Sequence, residues 1–217
     1  MASKIKTLLP AIVASVIGLS VGMYFGTRST STELDYADIQ NSLKNSTVLP
    51  IDFKTVPEFS LLQGPDTPID QTSLSGQWNV VVFGFTHCPD ICPIALSTMK
   101  AVVEELKDTE TPKPQVMFVT VDPNRDTPEV LSQYVTYFND EFIPVSGSLA
   151  DITYLIRELG VVASYTADKD DPSIYTVDHS TSMYLIDPEH RVRAKLDAPH
   201  TVDDVLADYK TLLAAFN

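Results

Sequence analysis

One run constrains the fold more than any other: Trp78-Asn79-Val80-Val81-Val82-Phe83-Gly84-Phe85 is apolar at nearly every position. A half-exposed strand would alternate apolar and polar residues, so this one has to be covered on both faces. Helical spacing follows at once. Between Pro93 and Lys107, the residues Leu96, Met99, Val102, Val103 and Leu106 fall on one side. A buried strand passing straight into an amphipathic helix opens a strand–helix–strand unit, which needs a parallel neighbour and a right-handed crossover.

That neighbour is Val116 to Val121, set off by the break Pro112-Lys113-Pro114. Asp126-Thr127-Pro128-Glu129 then reads as a helix start, with Thr127 as the cap and Pro128 at the first helical position. Leu131, Tyr134, Val135 and Phe138 form its apolar side. A short strand is expected at Ile143–Ser146 and a helix at Ile152–Leu159, stopped by Gly160. Upstream, Phe59 to Leu62 reads as a strand ending in a turn at Gly64-Pro65. Met183 to Ile186 and Arg191 to Leu196 flank Pro188-Glu189-His190 as a hairpin, and a last helix begins near Thr201. Parallel strands with helical crossovers and a closing antiparallel hairpin make an α/β architecture, a central mixed sheet flanked by helices on the thioredoxin-like plan.

The N-terminus carries a different signal. No residue between Lys6 and Arg28 is charged, so Thr7 to Thr27 forms an uncharged stretch of 21 residues. As a helix it would extend about 32 Å at about 1.5 Å per residue, enough to cross a hydrocarbon layer of about 30 Å. Lys4 and Lys6 precede it, and the Lys/Arg bias puts the N-terminus in the cytoplasm and the domain outside. The apolar run continues past the weak small-residue site Ser20-Val21-Gly22, which favours a retained anchor over a cleaved signal peptide. No cysteine follows closely enough for lipoprotein processing, and the start lacks the Arg-rich amphipathic pattern of a mitochondrial presequence. The expected organisation is an anchor at 1–28, a polar stalk at 29–55 and a thioredoxin-like domain at 56–217. The expected location is a bacterial inner membrane, single-pass, with the domain in the periplasm.

The whole chain has a formal net charge of −14. Residues 1–28 hold three basic residues and no acidic one, so the exported part carries 12 Lys and Arg against 29 Asp and Glu, or −17. Such a surface attracts cations and argues against nucleic acid as a partner.

The chain has two cysteines, and both lie in Phe85-Thr86-His87-Cys88-Pro89-Asp90-Ile91-Cys92-Pro93, where the buried strand hands over to the helix. Ligands of open α/β sheets bind at the carboxyl ends of strands. A helix N-terminus favours thiolate. An i, i+4 spacing places two sulfurs one turn apart, able to meet on one ion or to join as a disulfide. Thiolates select soft ions such as copper or zinc. A structural zinc site needs four protein ligands, and two thiols leave it short.

Further donors have to come from His87, His179, His190 or His200. His87 sits beside Cys88, His190 falls in a turn, and His200 precedes the last helix, so each has an ordinary surface or capping explanation. His179 is placed at the start of the strand that becomes Met183–Ile186, on the connection that approaches the cysteine loop in a thioredoxin plan. Asp178 beside it is a candidate to orient the imidazole. Asp122 and Asp126 read as turn and cap residues, Arg125 as the partner of a local carboxylate, and Met99 as core.

Three segments together resemble the motifs of the Sco (SenC-like) family, in the family's order: Phe85 to Pro93, Val121 to Pro128, and Val177-Asp178-His179-Ser180 followed by Met183 to Asp187. The resemblance covers about Pro57 to the C-terminus. It implies a thioredoxin-like fold and copper, as Cu(I) or Cu(II), held by Cys88, Cys92 and His179. The implied task is copper delivery, or thiol reduction, and the leading expectation is a copper chaperone, a binding protein rather than an enzyme. The implied partners are cytochrome c oxidase subunit II, at its CuA centre, or another exported cuproprotein, and an upstream copper donor. The turn Asp187-Pro188-Glu189-His190 is more charged than the glycine-containing turns usual there.

Two other classes use the same sulfurs. A thiol-disulfide oxidoreductase would employ Cys88 as nucleophile and Cys92 as resolving thiol, with no histidine. A thioredoxin-like peroxidase also places a Thr near a reactive Cys, but the closeness of the second cysteine argues against it.

Overall fold

The computed structural model describes residues 35–171 and 174–216. The proposed membrane-spanning run Thr7–Thr27 lies outside the described residues. Among the described residues no helix is long and apolar enough to cross a membrane.

The elements follow in chain order. They are α1 (Tyr36–Ser42), β1 (Ser46–Val48), β2 (Ser60–Gln63), β3 (Thr67–Asp70), β4 (Asn79–Gly84), α2 (Ile91–Leu106), β5 (Gln115–Thr120) and α3 (Pro128–Phe138). Next come β6 (Ile143–Ser146), α4 (Leu149–Leu159), β7 (Ala163–Ala167), β8 (Tyr175–His179), β9 (Met183–Ile186), β10 (Val192–Leu196) and α5 (Val202–Phe216). Eight strands form one mixed sheet in the order β1-β10-β9-β4-β5-β6-β2-β3, while β7 and β8 form a separate two-stranded ribbon. The pairs β4–β5 and β5–β6 are parallel, and β4–β9 and β9–β10 are antiparallel. This is the thioredoxin-like arrangement expected from the strand–helix order.

The central strand is covered on both faces, as its composition demands. Val80 and Val82 join one core with Leu96, Met99 and Val102 of α2, Leu131 and Val135 of α3, and Tyr209 and Leu212 of α5. Val81 and Phe83 join the opposite core with Ile152, Leu155, Ile156 and Leu159 of α4. Each such side chain taken fully out of water contributes roughly 1.5–3 kcal/mol, so β4, buried at every position, is a firmly held base for whatever follows it.

Local chemistry sets the helix ends. Thr127 accepts a hydrogen bond from the Val130 amide, and Pro128 opens α3. Ser148 caps α4 by accepting from the Asp151 amide, so this helix begins three residues before the expected Ile152. Gly160 ends it in the left-handed region, at φ 73°. The charged hairpin turn is formed too: His190 itself takes the positive φ, 67°, that a glycine would ordinarily supply.

Three features depart from expectation. The segment read as a stalk contains α1 and the edge strand β1, which pairs with β10. Its anchor is Asp208 on α5, whose carboxylate accepts hydrogen bonds from the Lys44 and Asn45 amides at 2.6 and 2.9 Å and from Ser46 Oγ at 2.6 Å. The segment also packs Ile39, Leu43 and Val48 against the core, but its polar anchoring by a carboxylate far away in sequence is a contact that hydrophobic patterning does not register. The strand β3, with Pro68 at the sheet edge, also lacks an apolar signature. Finally, His179 does not begin the strand Met183–Ile186; it ends β8, in the separate ribbon.

Candidate metal centre

The cysteine side of the site is built by the β4–α2 junction. After Gly84 the chain turns through residues 86–90, with the Cys88 amide donating to the Phe85 carbonyl at 3.2 Å. The helix α2 starts at Ile91, which places Cys92 in its first turn. Cys92 is 2% exposed and Cys88 is half-buried; both are free thiols. Gly84 is needed for the packing here. A Cβ at that position would lie 2.6 Å from Cys92 Sγ and 2.7 Å from the Phe118 ring, so the sulfur occupies space that any side chain would take. Glycine inside a strand is a recognised mark of close approach, and it was the available sequence signal for this residue.

A buried carboxylate braces the same loop. Asp126, with no exposed surface, accepts hydrogen bonds from the Thr86 amide at 3.0 Å, Thr86 Oγ at 2.5 Å and Thr120 Oγ at 2.7 Å. Its position before a helix suggests a cap, but Thr127 performs that task and Asp126 instead ties the end of β5 to the residue two before Cys88.

The histidine side comes from the ribbon. His179 Nε2 lies 3.6 Å from Cys92 Sγ, and His179 Nδ1 lies 2.7 Å from the Ser180 carbonyl oxygen. Only a protonated Nδ1 can donate to that carbonyl, so in the neutral ring the Nε2 lone pair faces the thiols. The orienting acceptor is therefore Ser180, and Asp178, exposed on β8, does not fill that role through a hydrogen bond. The ring packs edge-to-face on Phe85, centroids 5.7 Å apart.

Electrostatics favour neutral groups here. Burial pushes the Cys92 thiol well above its ordinary range, with the nearby Cys88 adding to the effect. Burial likewise lowers the His179 pKa, against smaller opposing contributions from Ser180 and Asp178.

The sulfurs of Cys88 and Cys92 and a His179 ring nitrogen all lie within 4.8 Å of one another. An ion bound at about 2.0–2.3 Å from sulfur and nitrogen holds three trigonal donors about 3.5–4 Å apart, so a small inward movement suffices to close the set on one ion. Two thiols and an imidazole suit a soft or borderline ion, whereas a hard ion such as calcium requires oxygen donors.

The other histidines lie elsewhere. His87 is exposed, with Nδ1 3.0 Å from Thr86 Oγ. His190 Nε2 lies 2.8 Å from Ser75 Oγ in the hairpin turn. His200 is buried, with Nε2 3.1 Å from the Leu196 carbonyl oxygen. Met99 is a core residue, 1% exposed. Arg125 pairs with Asp122 at the base of the ribbon.

A family model described as SCO1/SenC matches residues 51–214. Protein SCO1 homolog 1, mitochondrial, of Arabidopsis thaliana is 35% identical over 147 residues, covering 68% of this chain and 43% of that protein. Protein SCO2 homolog, mitochondrial, of Mus musculus is 33% identical over 161 residues, covering 74% of this chain and 63% of that protein. The chain thus spans less than two thirds of the length of either relative. The crystal structure of Arabidopsis thaliana ScoI with copper bound matches with a TM-score of 0.67 at 32% identity, covering 74% of this chain and 99% of that chain.

Proposed function

The chain belongs to the SCO1/SenC family, and from that premise we propose that it carries one copper ion on Cys88, Cys92 and His179 for the CuA centre of cytochrome c oxidase subunit II. The observation that carries this reading is the meeting of two thiols and an imidazole, from segments distant in sequence, within 4.8 Å. The copper held by the Arabidopsis ScoI structure supports it. Copper here is cargo, and two sulfurs with one nitrogen are a donor set suited to Cu(I).

The residues divide the work. Cys88, half-buried, is the donor that an incoming ion or partner reaches first. Cys92 holds its proton in the metal-free protein because its sulfur is out of water, so loading releases that proton and affinity rises with pH. His179 stays neutral with Nε2 directed at the thiols, ready to bind without first losing a proton.

The chain is held to a bacterial inner membrane by Thr7–Thr27, with the domain in the periplasm. The support is the uncharged length of that run and the lysines before it.

A second reading rests on the two free thiols one turn apart. As a reductase, Cys88 attacks a partner's disulfide and releases one partner thiol. Cys92 then displaces the second, leaving a Cys88–Cys92 disulfide and a partner reduced by two electrons. This chemistry needs no imidazole. Anaerobic Cu(I) titration of the reduced domain against a competing chelator separates the readings. One tight site is expected, weakened in Cys88→Ala, Cys92→Ala and His179→Ala alike. Undiminished affinity in His179→Ala would remove the third ligand and leave the reductase as the better description.

A further inference from the structure

The two sides of the site share one support, the loop that follows β5. Asp126 reaches from it to the cysteine loop through Thr86. Asp122, from the same loop, reaches to the ribbon. Its side chain is 1% exposed, and each oxygen has its own partner: Oδ1 accepts from the Tyr175 hydroxyl at 2.7 Å, and Oδ2 accepts from Arg125 Nε. Arg125 Nη1 in turn donates to the Tyr175 carbonyl oxygen at 3.2 Å. The guanidinium carbon lies 4.2 Å from the Tyr175 ring centroid and 5.6 Å from that of Phe85. It thus lies over Tyr175, which begins the histidine strand, and near Phe85, the residue that follows the strand leading to the cysteines.

We infer that Asp122, Arg125 and Tyr175 form a clasp that sets the position of the His179 imidazole, so that residues touching no metal govern the third ligand. The inference rests on the Cys88–Cys92–His179 reading above. The ribbon forms no ladder with the main sheet; besides the clasp, the Tyr165 hydroxyl donates to the Val121 carbonyl and Val177 enters the core. The ribbon's own ladder is regular, from Ala163 opposite His179 to Ala167 opposite Tyr175, and it transmits an error at one end to the other. Tyr175 and His179 are four residues apart, about 13 Å along a strand, so a tilt of about 5° at Tyr175 moves the imidazole about 1 Å. Metal bonds tolerate about 0.2 Å. Substituting an outer residue that orients a ligand typically lowers metal affinity about 10–100-fold.

The clasp is also selective about chemistry. Lysine could pair with Asp122, but it has no planar fork to serve Asp122 and the Tyr175 carbonyl together, and it stacks poorly over the Tyr175 ring. All three residues act as positioning residues.

The test uses Tyr175→Phe, which keeps the ring under the guanidinium, and Arg125→Lys, which keeps a cation beside the buried carboxylate. Each is made in wild-type and His179→Ala backgrounds, with circular dichroism confirming the fold. In the metal-free domain, amide exchange at Val177 and His179 is expected to quicken about 10-fold as the ribbon opens locally. In the loaded domain, Cu(I) affinity is expected to fall about 10-fold, and the nitrogen hyperfine signal of the imidazole to weaken in the Cu(II) form. In the His179→Ala background the same substitutions are expected to change affinity less than about 2-fold, because coupled residues are not additive.

Equal losses in both backgrounds would overturn the clasp, as would unchanged amide exchange at Val177 and His179. Quickened exchange in a protein whose wild-type and His179→Ala forms bind Cu(I) equally would uphold the ribbon's attachment and sink the copper reading instead.

Discussion

Cys92 and His179 end 3.6 Å apart, yet they reach that point by different routes. Cys92 is placed by short-range structure: a strand buried on both faces, a glycine that leaves room for the sulfur, and the first turn of a helix with its own apolar side. His179 stands at the end of a ribbon whose first strand is exposed at four of its five positions. Few apolar contacts secure that ribbon, and a polar clasp takes their place. Half of the site therefore inherits the rigidity of the core, while the other half depends on a few hydrogen bonds and one stacked guanidinium.

The sharpest way to break this comparison is to weigh the halves directly. Cys92→Ala is expected to lower Cu(I) affinity by more than about 100-fold, and His179→Ala by about 10–100-fold, taking the loss from an outer orienting group as the lower scale. Equal losses in competitive chelator titrations would show that the two halves are equivalent.

Next in size is Asp126→Asn, which leaves the Thr86 amide and two hydroxyls facing an amide group instead of a carboxylate. A cost of about 2–3 kcal/mol in chemical denaturation is expected, with amide exchange rising at Thr86 to Cys88 and not at Val177 to His179. Loosening of the ribbon to the same extent would mean that one loop supports both halves as a single unit.

Gly84→Ala is smaller. Its methyl group would meet Cys92 Sγ and the Phe118 ring, and the overpacking is expected to cost about 1–3 kcal/mol. The Cys92 sulfur would be displaced while the ribbon stays in place, and a lowered Tm together with a slower Cys92 alkylation or metal uptake would register it. An unchanged Tm would show that the β4–α2 junction is softer than its burial implies.

The smallest effect concerns pH. Burial depresses the pKa of both His179 and His200 below the usual 6.5. The unfolded chain then takes up protons before the folded one, so their contribution is intact above about pH 6.5 and is lost as pH falls through the lower folded values. The Tm of the metal-free domain is expected to decline over that range. His200→Gln should flatten the decline by removing the core histidine, leaving the share that belongs to the ribbon.

What was legible in the sequence follows the same division. The strands β4, β5 and β9 and the helices α2 and α3 have apolar patterns tied to their own periodicity, and the cysteine pair shows itself by spacing and by position between strand and helix. The ribbon has no such pattern: Ala163–Ala167 presents no buried face, and only Val177 of β8 is buried. Asp126 looks like a cap from its neighbours and acts on Thr86, 40 residues earlier. Asp178 is adjacent to His179 in sequence, but the carbonyl of Ser180 is the group that meets the ring. The polar stretch at α1 and β1 reads as a stalk because Asp208, which holds it, lies more than 160 residues away.

Periodicity and residue spacing are local quantities, so the chain alone was enough to specify a helix-covered sheet and a pair of sulfurs at one of its strand ends. The placement of His179 beside the thiols, the carboxylates that brace each side and the edge strand β1 depend on polar contacts between distant segments. Such contacts follow from where the backbone is carried in space, and no pattern along the chain records them. Folding decided them.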